Sequence, residues 1–135
     1  MNTSTLLKKA NRLLIKKANE LLKPHGITHA YTYFLMELYQ QDGLSQSAMY
    51  KRIGIEQPTA VRTLDRMARD GFIVRQQNLT DRRVAHIKLT AKGKHYQDII
   101  LSCAKELNGV ALQDFSDDEQ VLFNQLIKRL NANLA

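Results

Sequence analysis

The spacing of apolar residues leaves the helical period in only one stretch of this chain, and that stretch limits what it can fold into. Phe72 to Gln77 is rich in β-branched and aromatic residues, and Val84 to Leu89 alternates apolar and polar side chains. Both runs predict strands, and the polar stretch from Asn78 to Arg83 predicts the loop of a hairpin. Elsewhere apolar residues fall three, four or seven apart, which is the spacing of one helix face. Leu6, Leu7, Ala10, Leu13, Leu14, Leu21 and Leu22 place a first helix over residues 5–23, ended by Pro24 and Gly26. Thr28 is placed to cap a second helix that reaches about residue 41, with Tyr31, Phe34, Leu35 and Leu38 on its apolar side. Asp42-Gly43 forms a turn.

Ser45 caps a short helix over residues 46–53, and Gly54 stops it. Pro58 opens the next helix, where its missing N–H costs nothing, and Gly71 follows its end at Asp70. On this helix Ala60, Leu64 and Met67 share one side, while Pro58, Arg62, Asp65 and Arg69 share the other. Val61 lies on one flank; Thr59 and Arg66 lie on the second. Thr90 caps a helix continuing to about Asn108, with Tyr96, Ile99, Ile100, Cys103, Ala104 and Leu107 as apolar positions. Ser116 and Glu119 fit a capping box that opens the last helix, with Asp117 and Asp118 in its first turn. The order predicts a mainly α fold with a small β-hairpin wing: a helix-turn-helix, then a hairpin, between terminal helices. The 135 residues show no repeat or linker and suit one domain, with the winged helix at about 28–90.

Helices at about 5–23 and 91–135 carry apolar stripes too long for the small central unit to cover. Packing against a second copy would cover them. Leu6, Leu7, Leu13, Leu14, Phe115, Leu122, Leu126 and Leu130 are the expected interface of a homodimer.

The net charge is +7, and its location is informative. Between Ser45 and Lys94 there are eleven basic residues against four acidic ones, while the rest of the chain balances to zero. A surplus concentrated in the predicted winged helix points to a polyanion, with double-stranded DNA the expected partner. An anionic membrane surface fits less well, because the arginines divide between a short helix and a hairpin loop rather than lining one long amphipathic helix. Apolar runs are too short to span a bilayer, and residues 1–5 give no signal-peptide core. The single cysteine, Cys103, excludes an internal disulfide and suits a reducing cytoplasm.

Two segments resemble the MarR/SlyA family of winged-helix transcription regulators. Asp81-Arg82-Arg83-Val84-Ala85-His86-Ile87-Lys88-Leu89-Thr90-Ala91-Lys92-Gly93 is similar to the family's wing and following strand: an Asp-x-Arg, then an Ile/Leu-x-Leu-Thr-x-x-Gly run. Pro58-Thr59-Ala60-Val61-Arg62-Thr63-Leu64-Asp65-Arg66-Met67, closing with Gly71-Phe72-Ile73, is similar to its recognition helix and exit. Tyr50, Val61 and Asn78-Leu79 depart from the family's usual small residue, Thr or Ser, and Asp-Pro respectively. The resemblance implies a homodimer on a pseudo-palindromic duplex, with recognition helices in successive major grooves and wings in the flanking minor grooves. It also implies a repressor released by a small phenolic or anionic compound. A SlyA-type activator or anti-silencer and a less specific DNA-coating protein are the alternatives.

Within that frame Arg62 suits guanine O6 and N7, or a phosphate. Thr59 and the first-turn N–H groups suit a phosphate or a base edge, and Val61 a thymine methyl. Ser45 and Gln46 begin the preceding helix, where free N–H groups would meet the DNA backbone. Gln57, Pro58, Arg66 and Thr80 complete the expected DNA-facing set. Asp65 and Asp70 are near enough in sequence to pair with Arg66 and Arg69. On the wing, the resemblance gives Arg82 the minor groove and Arg83 a structural pairing with Asp81.

Other chemistry finds little support. His25 and His29 are four apart, but Pro24 and Gly26 break the helix that would align them. No zinc spacing, catalytic triad or cofactor motif is present, so neither an enzyme nor a metal site is expected. Cys103 reads as packing. His25, His29, Tyr31, Tyr33 and Tyr39 gather in sequence around the second helix and are the expected effector-binding residues, suited to a phenolate or carboxylate.

Overall fold

The computed structural model describes residues 1–135. Its elements run α1 (Thr3–Leu22), α2 (His29–Gln40), α3 (Gln46–Ile53), α4 (Gln57–Arg69), β1 (Ile73–Gln77), β2 (Ala85–Leu89), α5 (Ala91–His95), α6 (Gln97–Ala111) and α7 (Asp117–Leu134). A 3₁₀ turn, Lys23–His25, joins α1 to α2. The mainly helical architecture with one antiparallel hairpin is the winged helix-turn-helix that the sequence predicts.

Helix ends follow local chemistry. α1 begins earlier than the apolar pattern suggests because Asn2 accepts the Thr5 N–H at 3.0 Å. Ser45 Oγ accepts the Ala48 N–H at 3.1 Å, and Gly54 closes α3 in the left-handed region at φ 71°. Ser116 and Glu119 form the reciprocal capping box of α7. Thr28 precedes α2 as expected, but its side chain makes no capping bond. Asn19 of α1 does that work instead, accepting the His29 N–H at 2.8 Å.

The helix expected from Thr90 to about Asn108 is two helices, α5 and α6, which meet at Tyr96. Apolar spacing runs through the break and conceals it. Gly93 presses α5 onto the backbone at Phe72, and the Tyr96 ring packs on the Phe72 ring with centroids 5.5 Å apart.

The core is built around α2, whose Phe34, Leu35 and Leu38 are all but inaccessible. Met49 from α3, Ala60, Leu64 and Met67 from α4, Phe72 and Ile73, Ile87 from β2, Ile100 from α6 and Leu22 from α1 close around them. Burying each large side chain contributes about 1.5–3 kcal/mol. The hairpin pairs Ile73 with Leu89 and Gln77 with Ala85. It is also bonded to the helix-turn-helix, since the Ile87 N–H donates to Leu44 O at 2.8 Å and Ser45 bridges to His86.

The terminal helices are different. No residue of α7 is buried, and α1 buries only Ala18 and Leu22. Leu6, Leu13, Leu14, Phe115, Leu122 and Leu126 are all exposed. No helix is long and apolar enough to cross a membrane.

Candidate nucleic-acid interface

Ala60, Leu64 and Met67 turn one side of α4 into the core, so its opposite side faces outward by geometry. Gln57, Pro58, Thr59, Arg62 and Arg66 are exposed there, and Val61 is 38% exposed. Neither Arg62 nor Arg66 has an ion-pair partner. Asp65, expected near Arg66, is bonded instead to Arg75 of β1 at 2.8 Å, which fastens α4 to the hairpin. Arg69 reaches Asp70 at 3.4 Å.

Asp70 also accepts the Tyr31 hydroxyl at 2.6 Å. That bond, with Arg69 beside it, holds the Asp70 carboxyl below the usual carboxylate range. Lys92 Nζ donates to the Asp70 carbonyl at 2.8 Å. Together these contacts fix the end of α4 against α2 and α5.

The two wing arginines differ in their surroundings. Arg83 donates from Nε to Asp81 Oδ1 at 3.1 Å, and its backbone N–H reaches the same oxygen at 3.0 Å. This pairing keeps Asp81 below the ordinary aspartate range. Arg82 is exposed and pairs with no carboxylate. Thr80 donates its N–H and its hydroxyl to Asn78 Oδ1, at 2.9 and 2.7 Å. At the start of α3, Ser45 is engaged as the cap and the Gln46 amide bonds the Tyr50 hydroxyl.

The five residues expected around an effector are not brought together. A cavity of about 210 Å³ lies between α1, α2 and α6, lined by Ala18, Leu22, Met36, Ile100, Cys103, Ala104 and Leu107, with His29 and Thr32 as its polar members. Of the expected five, only His29 lines it. Tyr33 packs edge-on to the His29 ring, with centroids 4.7 Å apart. Tyr31 is buried in the core on Asp70, and the Tyr39 hydroxyl donates to Gly93 O at 2.7 Å. Burial, joined at Tyr31 by the bond to Asp70, pushes both phenols up to about 12. His25 is exposed in the 3₁₀ turn. The apolar spacing of α6 contained Ile100, Cys103, Ala104 and Leu107 of this lining, but nothing in the sequence brought α6 to α2.

Burial lowers the His29 imidazole from its ordinary value, which favours its neutral form. Burial and the nearby Glu106 raise the Cys103 thiol. No group of three or more His, Cys, Asp or Glu residues is arranged to hold a metal ion.

An unpaired cationic helix face beside an arginine-bearing hairpin defines a winged helix-turn-helix DNA-binding protein. The MarR family model matches residues 27–85, from just before α2 to the start of β2. The crystal structure of the transcriptional regulator SlyA is 27% identical at a TM-score of 0.91, covering 99% of this chain and 94% of that one. A MarR crystal structure is 25% identical at 0.85, covering 99% and 98%. A MarR transcriptional regulator from Methanosarcina mazei Go1 is also 25% identical, at 0.87, covering 97% and 95%. The chain is thus similar to the MarR family over residues 27–85 and shares its overall fold with the MarR and SlyA regulators.

Proposed function

We propose that the chain is a sequence-specific, homodimeric repressor that reads a pseudo-palindromic operator with two copies of α4. The carrying observation is the contrast among its arginines. Arg75 and Arg83 are spent on Asp65 and Asp81, whereas Arg62, Arg66 and Arg82 project unpaired from α4 and the wing. Arg62 and Val61 read base edges in the major groove, with Gln57, Pro58, Thr59 and Arg66 along the backbone. Ser45 and Gln46 bring the first turn of α3 to a phosphate, and Thr80 brings the wing loop to the backbone. Arg82 enters the flanking minor groove, where A·T-rich sequence deepens the negative potential. Residues 1–135 act as one domain, with the winged helix at about 28–90 and dimerisation helices at about 5–23 and 91–135.

Replacing Arg62 by alanine should weaken operator binding by about 1–3 kcal/mol and relax preference at one base position. Competition with operators mutated one base pair at a time checks this, and an unchanged preference everywhere confines Arg62 to phosphate. Arg82→Ala should weaken binding most on operators with A·T-rich flanks. Equal losses on G·C-rich flanks would exclude groove insertion. A footprint on one palindrome with little affinity elsewhere supports the regulator, and uniform coating of DNA refutes it. A reporter gene behind that palindrome separates repression from activation.

The cavity against α1, α2 and α6 suits a small aromatic effector, phenolic rather than charged. Its walls are mostly apolar, and neutral His29 and Thr32 offer hydrogen bonds without a cation. Titrating phenol and benzoate against the protein–operator complex compares the two chemistries directly. Release by benzoate alone reverses the preference.

A further inference from the structure

His86 sits in β2 with its ring between the turn that leads into α3 and the start of the wing loop. Nδ1 lies 3.0 Å from the carbonyl oxygen of Gly43, in the turn that leads into α3. Nε2 lies 3.4 Å from Nδ2 of Asn78, at the start of the wing loop. A carbonyl oxygen only accepts, so Nδ1 carries the proton. The Asn78 amide is oriented by its other end. Its Oδ1 accepts from Thr80 N and Thr80 Oγ1, and from the Asp81 N–H at 3.3 Å. Nδ2 is therefore the atom facing the ring, and Nε2 must be the bare acceptor.

The result is a directed chain: Gly43 O accepts from His86, His86 accepts from Asn78, and Asn78 accepts from the loop that presents Arg82. One residue further, Asp81 Oδ1 accepts the Arg83 N–H. Asparagine at position 78 offers an acceptor to the loop N–H groups and a donor to the ring nitrogen, whereas aspartate offers acceptors alone.

We propose that His86 is a positioning residue for DNA recognition: it ties the wing to the helix-turn-helix through Asn78 and so sets where Arg82 meets the DNA. The proposal rests on the wing reading given above. It goes beyond that reading by assigning wing placement to the His86 ring and its hydrogen-bond partners.

Three measurements test it. Nitrogen-15 shifts of the His86 ring in the free protein should show Nδ1 protonated and Nε2 bare. The opposite tautomer, or a doubly protonated ring at neutral pH, overturns the proposal.

The second measurement is hydrogen exchange at the Thr80 and Asp81 amides. His86→Asn retains a polar atom near the Nδ1 position but none near Nε2, so exchange there should speed up about fivefold, the size of one lost hydrogen bond. His86→Gln retains an acceptor near the Nε2 position, so exchange should stay within about twofold of the unsubstituted protein.

The third is preference between A·T-rich and G·C-rich flanks. It should fall in His86→Asn as it does in Arg82→Ala and persist in His86→Gln, with base preference at the operator centre unchanged as the sign of intact folding. If Arg82→Ala loses flank preference while His86→Asn keeps it, the proposal fails and the wing reading stands. If Arg82→Ala itself has no flank effect, the wing reading fails and the proposal fails with it.

Discussion

Substituting aspartate for both Leu122 and Leu126 should give a folded protein that sediments as a monomer at micromolar concentration and binds its operator at least about a hundredfold more weakly. The two leucines are 54% and 46% exposed on α7, a helix with no buried residue. Removing them from one chain's own packing therefore loses little. An α-helix that long has little reason to hold its shape in water unless its apolar side is covered. In the proposed homodimer a second copy would supply that cover, and two linked reading heads would bind far better than one because the second contact becomes intramolecular. Sedimentation and operator titration on the same preparation check both halves. A dimer that survives the double substitution would place the interface elsewhere.

The other large effect concerns Gly93. Replacing it by alanine should destabilise the fold by about 3 kcal/mol or more and lower the melting temperature by on the order of 10 °C. A β-carbon there would stand 2.3 Å from the carbonyl oxygen of Phe72 and 3.1 Å from the Leu89 side chain. The first is a backbone atom and cannot swing aside. It also accepts the Thr90 N–H at 3.1 Å, so moving it breaks the bond that starts α5. Urea denaturation measures the loss. A change under about 1 kcal/mol would mean that α5 can lift from the strand without penalty.

The winged helix was legible because its signals are local. Ser45, Gly54, Pro58 and Gly71 mark helix ends by their own chemistry, and the switch to alternation marks the hairpin. The pairing of Arg83 with Asp81 follows from their closeness in the chain.

What stayed hidden depends on distant partners. Asp65 was expected among the arginines of its own helix, but Arg75 of the next strand takes it. Tyr31 and Tyr39 were expected at an effector, but their hydroxyls meet Asp70 and Gly93, which are 39 and 54 residues away. His86 reads in the sequence as a lone histidine in a strand; its two partners come from a turn and a loop on either side of it.

The bond from the His29 N–H to Asn19 has a consequence for ancestry. The amide that opens α2 is satisfied by a residue from α1, and Leu22 of α1 lies in the core that α2 organises. A fragment starting at α2 would leave that donor to water and take Leu22 out of the core. The DNA-reading unit is therefore not a portable cassette. Recombination that moved it without its leading helix would carry away an unfinished fold, so the reading head and its leading helix should be inherited together.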